Sequence, residues 1–175
     1  MSGLPQELIK EAQEQIEIFS ANNNTDKEYP IFVLGPYEPD ECKKFLKSVC
    51  MKMRIQKKYT AFLLDDLSLS VTPDVSFKLA AFLSIYNLFV IPKKCGSYGW
   101  VSELTELLNQ DPRKLLIFYR KRGDIPFQLF SKMINTSVKH GPIIDDKNTE
   151  ISLQRIATRV TTALLFPDIK YFDNK

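Results

Sequence analysis

Cysteine and histidine are scarce in this chain of 175 residues, which has three cysteines, Cys42, Cys50 and Cys95, and one histidine, His140. Neither residue type falls at metal-ligand spacing and no second cluster completes a tetrahedral set, so a bound zinc is not expected. The odd cysteine count points to reduced thiols in an intracellular setting. Long apolar runs are missing as well, since none approaches the roughly 20 residues that span a bilayer. The N-terminus has no basic stretch followed by an apolar core and a small-residue cleavage site, so cytoplasmic residence without a membrane partner is the expectation. Charge of one sign does not dominate: 24 Lys and Arg against 21 Asp and Glu leave a formal charge of +3. A nucleic-acid partner would therefore need a local basic patch. A glycine-rich dinucleotide fingerprint and a phosphate-loop lysine motif are both absent, which removes the NAD-dehydrogenase and nucleoside-triphosphatase readings. The chain calls for no cofactor.

What is present is a 44% hydrophobic chain, long enough for one core. The expected organisation is a single α/β domain over residues 1–175, with 1–28 as an N-terminal helical extension and polar linker. Leu8 to Phe19 has a helical stripe of Ile9, Ala12, Ile16 and Phe19, suited to cover the domain or to pair two copies in a homodimer. Asn22 to Lys27 reads as a polar break.

Short apolar runs then alternate with amphipathic stretches. Ile31–Leu34, Ala61–Leu64, Leu88–Ile91 and Leu115–Tyr119 read as buried strands. Between them, Cys42, Phe45, Leu46, Val49 and Met53 recur at helical spacing, as do Val75, Leu79, Phe82, Leu83 and Tyr86 and then Val101, Leu104, Leu107 and Leu108. Thr72-Pro73-Asp74 is a helix start with a capping hydroxyl, a proline that loses no amide and an acid at the positive end. Phe127, Phe130, Met133 and Ile134 mark a later helix, and Leu153, Ile156, Val160 and Leu164 a last one. Ile143-Ile144 fits an edge strand or a loop anchor. Such alternation predicts a three-layer flavodoxin-like or Rossmann-like domain with a mostly parallel sheet, in an order near 2-1-3-4-5.

The chemistry concentrates at the expected strand ends. Leu88–Ile91 runs into Pro92-Lys93-Lys94-Cys95-Gly96-Ser97-Tyr98-Gly99-Trp100, and a helix carrying Glu103 near its start follows. Ligands of open α/β sheets sit at such strand ends. A carboxylate there can contact a ribose hydroxyl, attack an anomeric carbon or stabilise an oxocarbenium-like transition state. It can equally be an exposed glutamate that favours a helix N-terminus. Gly35-Pro36-Tyr37 is a sharp turn after the first strand. Of Asp65 and Asp66, adjacent at the end of the second strand, only one can face a pocket; a plain strand-end turn explains both.

The pairing of Gly35-Pro36-Tyr37 with Gly99-Trp100-Val101-Ser102-Glu103-Leu104 resembles the nucleoside 2-deoxyribosyltransferase-like group and the related TIR-type NAD-cleaving domains, over about residues 31–119 in element order. The resemblance implies action on the N-glycosidic bond of a nucleoside, nucleotide or NAD. In that reading Glu103 is the catalytic carboxylate, Gly35, Pro36 and Tyr37 line the base or sugar pocket, and Gly99 shapes the second loop. Two positions depart from the group: Asn87 stands near its aspartate, and Trp100 replaces a small residue.

Asp65, Lys93, Gly96, Ser97, Tyr98 and Trp100 complete the expected substrate-binding set, the aromatics either stacking on a base or packing the helix on the sheet. Arg120 is the expected phosphate ligand, with Lys93 able to share that role. His140 reads as a loop residue. The competing reading is a non-enzymatic nucleotide- or nucleic-acid-binding module that uses Lys93, Arg120 and Arg122.

Overall fold

Every central strand is apolar on both faces, so each must be covered twice. In the computed structural model, which describes residues 3–95 and 99–168, the covering is done by helices on both sides of a five-stranded sheet. Along the chain these are α1 (Gln6–Asn23), β1 (Asp26–Leu34), α2 (Asp40–Lys57), β2 (Tyr59–Phe62), α3 (Pro73–Leu83) and β3 (Tyr86–Ile91). There follow α4 (Gly99–Gln110), β4 (Leu115–Tyr119), α5 (Phe127–Asn135), β5 (Lys139–Gly141) and α6 (Thr149–Leu165). The strand order is β2-β1-β3-β4-β5 with parallel pairing throughout. The protein is an α/β domain of the flavodoxin-like or Rossmann-like kind, as its alternating pattern predicts.

The period of two along the strands divides the core. Phe32, Leu34, Phe62, Phe89, Ile91 and Ile117 pack with side chains from α1, α3, α4 and α5. Their neighbours Ile31, Val33, Ala61, Leu88, Val90, Leu116 and Phe118 pack against α2 and α6. Because α2 leaves β1 toward one face and α4 leaves β3 toward the other, a crevice opens between the carboxyl ends of these paired strands.

Several boundaries differ from expectation. Helix α1 is part of the covering layer rather than an extension: Ala12 and Ile16 are buried, and Phe19 meets Phe62 edge-on at 6.3 Å. The polar break is shorter than it reads, because β1 begins at Asp26, held by its N–H donating to the Lys58 carbonyl at 2.7 Å. The fifth strand is Lys139–Gly141. Ile143 and Ile144 instead anchor the loop after it, both buried. His140 is thereby a strand residue, with its ring stacked on Tyr119 and Nδ1 2.9 Å from the Tyr119 hydroxyl. Thr72 caps α3 as expected, its hydroxyl accepting from the Val75 N–H. On that helix, however, Phe77 rather than Phe82 turns into the core, and because the helix ends at Leu83, Tyr86 begins β3 instead of continuing the helical face. Phe127 and Ile134 of α5 are likewise exposed, leaving Leu129, Phe130 and Met133 as its buried face.

Arg120 and Asp124 tie the turn after β4 together. Both carboxylate oxygens of Asp124 accept from the Arg120 guanidinium, at 2.8 and 2.9 Å, and the Asp124 side chain is 0% exposed. Removing Asp124 leaves Arg120 with only its longer, exposed contact to Asp146 at 3.3 Å. Asp124→Ala is expected to lower unfolding stability by about 2–3 kcal/mol, discounted because Arg120 is partly exposed. A urea melt of the variant, compared with the unchanged protein, measures it.

Candidate active site

At the carboxyl end of β1 a cavity of about 260 Å³ opens among β1, the turn after β2, α3 and the start of α4. Its floor is the sheet: Phe32 and Leu34 are alternate residues of β1 on the face that also holds Phe77 and Trp100. Gly35, Pro36, Tyr37 and Glu38 leave the end of β1 along one wall. Leu64 and Asp65, in the short turn after β2, form another wall, while Gly99, Trp100 and Glu103 bring the first turns of α4 to the opposite side. The turn at 35–37, Asp65 and Glu103 thus share one cavity, although they come from three separate parts of the chain.

Local chemistry explains each placement. A Cβ on Gly35 would lie 2.1 Å from the Val90 carbonyl oxygen, so β1 can turn this close to β3 only with glycine there. The two aspartates after β2 divide their roles, as one-sided access requires. Asp66 turns back and accepts the Leu63 N–H at 2.8 Å, leaving Asp65 at the cavity. Lys43 pairs with Asp65 at 3.0 Å and lies 4.7 Å over the Tyr37 ring. Trp100 and Glu103 stand three residues apart on α4, hence on neighbouring positions of one helix face.

The electrostatics of the cavity are acidic. Glu103 reaches its mouth and is exposed there, yet the walls strip part of its solvation and Glu106 repels its charge. Both effects raise its pKa above the ordinary carboxylate value. Burial raises the Tyr37 pKa strongly, and the negative charges of Asp65 and Glu103 add to the shift, so its hydroxyl stays protonated at neutral pH. A protonated phenol is a hydrogen-bond donor. The cavity therefore combines a partly desolvated carboxyl, a phenolic donor and a second carboxylate with apolar and aromatic walls.

No protein-family model matches the chain, and no curated protein or solved structure gives a significant match.

Of the expected site residues, Gly35, Pro36, Tyr37, Asp65, Gly99, Trp100 and Glu103 are brought together. Gly96, Ser97 and Tyr98 lie outside the described residues. Lys93 and Arg120 are placed elsewhere: they line a separate cavity of about 340 Å³ beside Phe45 of α2 and Ile144. Both are ion-paired there, Lys93 with Glu41 at 3.0 Å and Arg120 with Asp124 and Asp146, so the phosphate role expected of Arg120 has no support from its position. Arg122 lies 4.7 Å over the Phe130 ring. Asn87 is also remote from Glu103, because it opens β3 and the cavity lies at the other end of that strand; its amide donates to the Ala81 carbonyl. Trp100 is 4% exposed and packs at 6.0 Å against Phe89, which makes it chiefly a wall.

Nothing lies within 4 Å of a Cβ built at Gly99, so of the two glycines only Gly35 is required by a close chain approach. Phe77, Leu64 and Glu38 also line the cavity and were not foreseen. Phe77 carried the clearest signal, a large apolar residue one helical turn after Pro73.

Among the described residues no group of three or more His, Cys, Asp or Glu side chains is arranged to hold a metal ion, and no helix is long and apolar enough to cross a membrane.

Proposed function

We propose that the protein cleaves or exchanges the N-glycosidic bond of a nucleoside, nucleotide or NAD. The observation that carries this reading is the shared cavity: Glu103 opposes the Gly35–Tyr37 turn across a space with aromatic walls. Such walls suit a base and adjacent carboxylates suit sugar hydroxyls. In this reading the Glu103 carboxylate attacks the anomeric carbon or stabilises its developing positive charge, and the base leaves with the bonding electron pair. Tyr37, held as a phenol, donates a hydrogen bond to the sugar or the departing base. Water or a second base then takes the sugar.

The acidic character of the cavity bears on where a substrate phosphate would lie. Among the described residues lining the cavity none is a lysine or arginine, and Lys43 beside it is already paired with Asp65. A phosphate is thus better placed outside the cavity mouth than within it.

The test is incubation with deoxynucleosides, nucleoside monophosphates and NAD, followed by chromatography of the products. Released base from at least one class is expected, with about 10³-fold less from the Glu103→Gln protein. Absence of release across the panel from folded protein would overturn the proposal.

A further inference from the structure

Cys42 and Cys95 lie far apart in the chain, but their sulfur atoms are 3.4 Å apart. Cys42 sits in the first turn of α2, directly beyond the Gly35–Glu38 wall of the candidate site. Cys95 sits in the segment that leads from β3 toward α4, and its sulfur also lies 3.2 Å from the Lys93 carbonyl oxygen. The third thiol, Cys50, is fully buried in the core between α2 and the sheet.

The geometry assigns Cys42 and Cys95 as a dithiol that closes into an intramolecular disulfide, a modification site joining the two chain segments that supply Tyr37 and Glu103. A disulfide sulfur separation is about 2.05 Å, so closure needs a movement of little more than an ångström from the contact already present. Neither segment has to cross another element to achieve it.

The roles of the two sulfurs differ. Cys42 is 0% exposed and Cys95 7%, so a small oxidant meets Cys95 first. Burial raises both thiols, Cys42 to about 12. The hydrogen bond between them favours the Cys95 thiolate over that of Cys42, and the Lys93 ammonium lowers both. With a hydroperoxide as oxidant, the Cys95 thiolate attacks the peroxide oxygen, the O–O bond breaks, and an alcohol leaves, or water when the oxidant is hydrogen peroxide. Cys95 is then a sulfenic acid. Cys42 loses its proton and attacks that sulfur, the S–O bond breaks, and the hydroxyl leaves as water. In sum the two thiols give up two protons and two electrons, and these reduce the hydroperoxide to alcohol and water.

The bond does not depend on the glycosidic reading, and it is detected without any assay of activity. The full chain is treated with hydrogen peroxide, denatured, alkylated with a maleimide and digested for mass spectrometry. The expected result is one linked peptide pair containing Cys42 and Cys95, alkylation at Cys50 alone, and restoration of all three thiols by dithiothreitol. The Cys50→Ser protein should give the same linked pair, while Cys42→Ser and Cys95→Ser should each give none. Full alkylation of Cys42 and Cys95 after peroxide, a bond to Cys50, or a bond between two chains would each overturn the assignment.

Discussion

Replacing Glu103 by glutamine is expected to lower base release by about 10³-fold, the scale on which an active site loses a group that stabilises developing charge, while leaving the protein at least as stable as before. The retained stability follows from the surroundings of the carboxyl. Burial and Glu106 raise the Glu103 pKa, so the ionised form is disfavoured in the folded protein relative to the unfolded chain. By linkage, any stability from this shift is fully present below the unfolded-state pKa and lost as pH rises through the folded-state value. At neutral pH the ionised carboxylate is therefore a small liability to the fold, and an amide of the same shape removes it. A structural glutamate would behave in the opposite way: its amide variant would melt earlier and lose activity only in proportion to unfolding.

The same shift sets the pH dependence of the proposed reaction. If the carboxylate form acts, the rate rises with pH through a value above that of an ordinary glutamate, then levels. Glu106→Gln removes a repelling charge, so it is expected to move this rise to lower pH while retaining the plateau rate. A rate profile of the two proteins measured over the acid range checks it. An unmoved profile would mean that the rise does not come from Glu103.

How much of this site was legible in the sequence follows from which residues carry a one-dimensional signal. β4 was read with its ends in place because five apolar residues stand between a helix-breaking proline and a basic turn. β5 was not, because Lys139, His140 and Gly141 form a short edge strand with no apolar pattern, and the nearby isoleucine pair drew the expectation instead. The start of β1 was hidden for a similar reason, since Asp26 to Tyr29 are exposed. Strand-end turns were legible, and a parallel sheet brings such turns to one edge. That is why Gly35, Tyr37, Asp65 and Glu103 meet. The face of the sheet onto which each loop turns was not legible, and there the basic residues went astray. Lys93 and Arg120 also follow strands, but acids at Glu41, Asp124 and Asp146 claim them in another cavity.

Gly35→Ala is expected to lower stability by about 2–3 kcal/mol and to disturb ligand binding with it, whereas Gly99→Ala should change stability by less than about 0.5 kcal/mol. Sequence alone treats the two glycines alike, as loop residues beside a strand end. Their surroundings are opposite: the added methyl at 35 would stand 2.1 Å from the Val90 carbonyl oxygen and 3.3 Å from a Leu46 methyl, while the one at 99 meets nothing within 4 Å. The Val90 carbonyl cannot swing aside cheaply. Val90 is held in register with Phe118 of β4, and its side chain is buried against the α2 and α6 layer. The strain must instead move the end of β1, and with it Pro36 and Tyr37, away from β3. Paired thermal or urea melts of the two variants measure the contrast. Equal stability would mean that β1 does not approach β3 at this point, and the wall that sets Tyr37 opposite Glu103 would lose its physical basis.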